Sequence, residues 1–290
     1  MTRMPARNRV IYMIVIMSLG QTPLPSNGSA EPQAQPPQAE SAQPFRWPEG
    51  KRAAVSLSFD DARPSQVDTG LALLNQHQVK ATFFLQSENI SQCLDSWKRA
   101  VADGHEIGNH SITHPCTGNY AFSRRNALEN YTLSMMAAQL DGANAEIQRL
   151  LGVTPKTFAY PCGQKLVGRG LDARSYVPLV ADRFLVGRGY LDESANDPPV
   201  CDLAQVMGTP FDDMDFEQMK KLVEAAAQEG RWLIFVGHDI GPRGYQVTDV
   251  GALGTLADYL KDPANGIWLG TVGEIGQYIV QKRTTAADLR

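Results

Sequence analysis

The sequence predicts an α/β fold, a distorted (β/α) barrel of about seven to eight parallel strands. Three observations carry that prediction. Apolar strand-like runs alternate with helix-period segments from Ala53 onward, the pattern of a parallel sheet with crossover helices. About eight such units follow one another within a segment of ordinary barrel-domain length. Asp60-Asp61, His110, Tyr160-Pro161-Cys162-Gly163 and Gly237-His238-Asp239 each directly follow a strand candidate. Chemistry in such barrels is assembled at the strand C-terminal ends, so these distant residues are expected to meet on one face.

Taken in order, Ala53–Phe59 reads as a buried strand that ends at the Asp pair. Gln66–Gln78 has apolar residues at helical spacing, Ala81–Leu85 is strand-like, and Cys93–Ala102 returns to helix. Glu106–Asn109 is a short strand leading into His110 and His114. Asn126–Leu151 reads as one long amphipathic helix stopped by Gly152. Further strands are expected at Thr157–Tyr160, Phe184–Val186, Gln205–Met207, Trp232–Val236 and Ile267–Leu269. A helix over Asp215–Gln228 is capped by Asp215 with Gln218 reciprocating, and Thr271–Val280 has Thr271 and Glu274 at capping-box spacing. No internal repeat points to a solenoid.

The ends read differently. Arg3, Arg7 and Arg9 precede an apolar Val10–Leu19 run and a Gly28-Ser29-Ala30 cleavage candidate, so residues 1–30 are expected to be a signal peptide. The apolar run falls short of the roughly 20 residues of a membrane span. Residues 31–45 are Pro/Gln/Ala-rich and read as a disordered linker, 46–282 as the folded domain, and 283–290 as a C-terminal tail. Loss of residues 1–30 removes three arginines and no acid from 27 basic and 31 acidic side chains, which leaves a net charge of −7 with His neutral. With no long basic run, nucleic acid is excluded as a partner, and a secreted or periplasmic bacterial protein without a stable membrane span is expected. Four cysteines (Cys93, Cys116, Cys162 and Cys201) would meet an oxidising compartment. Cys116 and Cys162 both fall in loops at the expected site, where a bridge and free buried thiols are both open.

Asp60 and Asp61 stand where the first strand ends and the chain turns, so one carboxylate can face a metal while its neighbour faces the reacting water. His110 and His114 are four apart, and one helical turn would place both rings on one face. Asp61, His110 and His114 then make a two-His, one-carboxylate metal site with open positions. Either pair alone is a weak signal, since Asp-Asp is common in turns and His238 alone could be a core histidine. Three of the five histidines and the Asp pair all falling at strand ends makes coincidence a poor explanation.

Ser58-Phe59-Asp60-Asp61, His110-Ser111-Ile112-Thr113-His114-Pro115, Phe158–Gly163 and Phe235–Asp239 occur in the order expected of the NodB-homology polysaccharide deacetylases, carbohydrate esterase family four. The chain resembles that family from about Arg52 to Ile279. The resemblance implies a deformed β/α barrel and a divalent metal (zinc first, cobalt or nickel as alternatives) on Asp61, His110 and His114. It further implies Asp60 as general base, His238 as general acid, and Cys162, through its backbone N–H, with Tyr160 as the oxyanion or substrate elements. Two departures stand out. The third-motif arginine of many members is Ala159 here, with Arg169 and Arg188 as substitutes to consider. The fourth motif is not recognisable, so Asp212 or Asp213 is the candidate for orienting His238. The implied activity is removal of N-acetyl groups from an N-acetylglucosamine-containing glycan. The alternatives are an O-acetyl esterase on a xylan-like polymer and a glycan-binding pseudoenzyme.

Overall fold

A computed structural model describes residues 45–288. The expected signal peptide and nearly all of the linker lie outside the described residues. Among the described residues twelve strands and seven α-helices follow in order: β1 (Ala53–Asp60), α1 (Leu71–Gln76), β2 (Thr82–Leu85), α2 (Leu94–Ala102), β3 (Glu106–Asn109), α3 (Leu133–Leu151), β4 (Thr157–Ala159), β5 (Leu166–Val167), β6 (Arg174–Ser175), α4 (Val177–Arg183), β7 (Val186–Arg188), β8 (Thr209–Pro210), α5 (Phe216–Glu229), β9 (Trp232–Gly237), β10 (Asp239–Gly241), β11 (Val247–Asp249), α6 (Val250–Lys261), β12 (Ile267–Leu269) and α7 (Val272–Asp288).

The main sheet runs β7-β4-β3-β2-β1-β9-β8, and every pairing in it is parallel. Its two ends meet. Val206, just before β8, donates to Gly187 O (2.8 Å) and accepts from Gly189 N (2.7 Å), which bridges β8's segment to β7. Closure is distorted at β1. Its last three residues pair with β2, while its first three pair with β12 on a separate stretch. The predicted barrel of parallel strands is therefore the observed architecture.

Strand parity sorts the core. β1 is buried along its whole length, as a strand covered on both faces must be. Val55, Leu57 and Phe59 join Phe83, Leu85, Leu233 and Phe235 in the layer under the helices. The alternate residues face the barrel interior, where Ala54, Phe84, Ala159, Val186, Val206 and Ile234 pack together. The same parity turns Asp60 and Arg188 inward.

Several boundaries differ from the sequence expectation. Gln66–Gly70 is a π-helical turn before α1, with Gln66 buried. The long helix starts only at Leu133, capped by Thr132, because Ala121–Asn126 and Leu128–Asn130 form 3₁₀ turns instead. The strand expected at Gln205–Met207 is reduced to the Val206 bridge, and β7 reaches Arg188, past the expected Val186. The expected tail from 283 is helical through Asp288, since Arg283 donates to Pro198 O and Cys201 O (2.8 Å each). Both predicted capping boxes form. Among the described residues no helix is long and apolar enough to cross a membrane.

Candidate metal and acid–base centre

The ends of β1, β3, β4 and β9 open into one cleft of about 660 Å³, lined by Asp60, Asp61, His110, His114, Cys162 and His238 among others. Asp60 closes β1. Beyond it the chain turns sharply, with Asp61 (φ 79°) and Ala62 (φ 58°) in the left-handed region. Gln66 holds the turn by donating its side-chain amide to Asp60 O (2.5 Å) and His238 O (2.8 Å), which ties the end of β1 to the end of β9.

Asp61 Oδ1 lies 3.5 Å from His110 Nε2 and 3.5 Å from His114 Nε2. Its other oxygen is taken by Arg63, which donates from Nε (3.1 Å) and Nη2 (2.9 Å), while Nη2 also reaches Gln246 and Nη1 reaches Asp239. The two histidines meet, but not by a helical turn. The segment after β3 is a loop, with Ser111 (φ 65°) and His114 (φ 51°) in left-handed conformations and Ser111 Oγ accepting from His114 N. This loop geometry replaces the expected i, i+4 helix and sets the ring centroids 4.7 Å apart. His110 Nδ1 faces Ala159 O at 2.9 Å, which fixes a protonated Nδ1 and leaves Nε2 as the donor atom. Burial, with His110 beside it, lowers the His114 pKa to about 4, so its ring is neutral at ordinary pH. Burial alone would raise Asp61, but the hydrogen bond of His110 and the His110 and His114 rings beside it lower it strongly. One carboxylate and two imidazoles converging this closely fit a divalent transition metal.

Asp60 is buried, and its Oδ1 forms a short ion pair with Arg188 Nη2. Its Oδ2 lies 3.9 Å from His110 Nε2. Arg188 is wholly buried, donates to Gly189 O (2.8 Å), and has its guanidinium 4.8 Å from the Phe84 ring centroid. Ala159 and Arg188 are register partners on β4 and β7. An arginine thus reaches Asp60 from β7, at the position beside Ala159 of β4. Arg169 is elsewhere, bonded to Asn130 Oδ1 at 2.6 Å.

His238 follows β9. Its Nδ1 is 2.6 Å from Asp212 Oδ2, and its N–H donates to Asp212 Oδ1 at 3.1 Å. Thr248 Oγ1 donates to the same carboxylate at 2.8 Å. Burial would lower His238, but the Asp212 hydrogen bond and the charges of Asp60 and Asp61 raise it above its ordinary value. Asp213 is exposed, in a left-handed turn whose N–H donates to Val247 O, and does not meet His238. Tyr190, which sequence reasoning missed, stands edge-on to His238 with centroids 5.5 Å apart.

Cys162 lines the cleft and is disulfide-bonded to Cys116, whose Sγ is 3.6 Å from His114 Nδ1. The bridge joins the histidine loop to the loop after β4. Cys93 and Cys201 are free. Tyr160 does not belong to the site. It is fully buried beneath it, donates its hydroxyl to Ala204 O at 2.7 Å, and packs on Phe158 and Tyr176. Alternation along the strand end turns it away from the cleft.

Residues 47–174 match the family model for polysaccharide deacetylase. Over that segment the chain is similar to the family. It is 32% identical over 169 residues to a peptidoglycan-N-acetylglucosamine deacetylase of Bacillus cereus, covering 55% of this chain and 57% of that protein. It is 40% identical over 93 residues to the uncharacterised protein YlxY of Bacillus subtilis, covering 32% of this chain and 26% of YlxY. The chain thus spans less than two thirds of the length of these curated relatives. The fold resembles a putative polysaccharide deacetylase from Mycobacterium smegmatis (TM-score 0.62, 16% identity, 83% of this chain and 95% of that one). It also resembles a family 4 acetyl xylan esterase from Clostridium thermocellum in complex with cobalt (TM-score 0.51, 24% identity, 78% and 91%).

Proposed function

We propose that the protein is an exported, metal-dependent hydrolase that removes N-acetyl groups from an N-acetylglucosamine-containing polysaccharide. One observation carries this reading. A buried carboxylate held by Arg188, a two-His, one-Asp donor set and an Asp212-held histidine all open into a single cleft. The peptidoglycan-N-acetylglucosamine deacetylase relatives favour the amide and the cell-wall sugar.

Asp61, His110 and His114 would hold the divalent cation, zinc first, which supplies polarisation of the acetyl carbonyl and acidification of water. Asp60 accepts the proton of the attacking water. Arg188 occupies Oδ1, so Oδ2 is the atom offered for that transfer. The backbone N–H of Cys162 donates to the carbonyl oxygen as it gains charge. His238 then protonates the leaving nitrogen from Nε2, because Asp212 holds Nδ1. The raised His238 pKa lets this acid hold its proton to higher pH than an ordinary histidine would, for transfer to the leaving amine.

The test is acetate release from N-acetylglucosamine oligomers, peptidoglycan, poly-N-acetylglucosamine and acetylxylan by metal-loaded protein. Release from the N-acetylated polymers that stops on chelation is expected. No release from any of them overturns the reading, and release from acetylxylan alone transfers it to an O-acetyl esterase.

A further inference from the structure

The rim of the cleft on the His114 side bears two aromatic rings that serve no core. Tyr120 is 43% and Phe122 is 68% exposed, yet both line the cleft. Their planes are only 14° apart with centroids separated by 5.4 Å, and Phe122 lies 6.2 Å from the His114 ring. We propose that Tyr120 and Phe122 form a stacking ledge for a pyranose ring next to the sugar being deacetylated. The inference rests on the deacetylase reading and adds to it a requirement for more than one sugar unit.

The ledge is held in place although its rings are in water. Ser123, between Phe122 and the next turn, is buried. Its hydroxyl accepts from Cys116 N (2.9 Å) and donates to Cys116 O (2.8 Å). Asn126 donates to Thr113 O (2.9 Å) and Thr113 Oγ1 (2.7 Å), and Tyr120 N donates to Thr117 O (3.1 Å). Glu129 receives Gly118 N (3.0 Å), and the Cys116–Cys162 bridge pins the base of the loop. The segment that bears the rings is thus built onto the segment that bears His114.

Two exposed rings kept parallel on a rigid loop cost solvation and add nothing to the core, so their face is available for a ligand. A ligand that meets a preformed surface loses little side-chain freedom. A flat apolar ring face matches the C–H face of a pyranose, whose hydroxyls stay at its edge toward water. The ring beside His114 places this second sugar next to the acetyl-bearing one.

The experiment compares kcat/KM for acetate release from N-acetylglucosamine monomer and tetramer, with calorimetric binding of the tetramer to metal-loaded protein. In Phe122→Ala and Tyr120→Ala the tetramer-to-monomer ratio is expected to fall about 3- to 10-fold, the worth of one aromatic contact, mainly through KM. Tetramer binding should weaken by the same factor. Phe122→Leu keeps apolar area without the ring and should behave like Phe122→Ala. An unchanged ratio, equal losses for both lengths, or a wild-type-like Phe122→Leu overturns the ledge. Failure of the deacetylase reading looks different: the wild type releases no acetate, while calorimetry still reports whether the rings bind the tetramer.

Discussion

Arg188 meets the buried Asp60 carboxyl group in the barrel interior. A buried carboxylate without a partner would be costly, and removing one member of a buried ion pair typically costs about 3–5 kcal/mol. Arg188→Ala should therefore destabilise the fold by about that much and lower acetate release by about 10- to 100-fold, as loss of an orienting partner does. Adding Ala159→Arg should recover part of the rate, since the two positions are register partners facing the same interior. Denaturant midpoints and kcat for the single and double variants check this. His238 yields a pH prediction. Its pKa is raised by Asp212, Asp60 and Asp61, so the protonated acid persists to higher pH than for a free histidine. Asp212→Asn removes one source of that rise, and the basic limb of the kcat–pH profile should move to lower pH. An unmoved limb would assign it to another group. The Asp pair, the two histidines after β3 and His238 could be singled out because their motifs lie at strand ends. Arg188 was only one of two substitutes to consider, since its pairing with Ala159 is a register between strands 29 residues apart that periodicity cannot reveal. Asp212 and Asp213 could not be separated for a similar reason: a left-handed turn at Asp213 decides which side chain points at His238.

At the level of elements, strands were easier to read than the loops that shape the cleft. β1, β9 and β12 fall close to expectation because apolar runs bounded by polar turns specify buried strands. The His110–His114 segment was misread as helical because i, i+4 spacing also fits a loop with two left-handed residues. The Cys116–Cys162 bridge was open in the sequence and is formed in the fold, where it ties the loop of His114 to the loop of the proposed oxyanion donor. Replacing both cysteines by serine should cost about 2–5 kcal/mol of stability. It should also lower kcat beyond any loss of folded protein, because both loops lose their tie. Thermal melts beside kcat at a temperature where the variant is fully folded separate these effects. A kcat equal to the wild type would make the bridge purely a staple.

For the whole molecule, the barrel gathers residues 60 to 238 at one end because every strand of the main sheet runs the same way. That arrangement was readable from the alternation of elements, and the family match agrees with it. How the barrel closes was not. The Val206 bridge and the divided pairing of β1 depend on non-local hydrogen bonds and leave little pattern in a short segment. The central claim is a division of labour between neighbours, with Asp61 holding metal and Asp60 handling the proton of water. It is tested most directly by Asp60→Asn, measured for metal content and for acetate release from an N-acetylglucosamine oligomer. Metal should be retained at the wild-type ratio while the rate falls by about 100- to 10,000-fold. Turnover at near wild-type rate with metal still bound would contradict it.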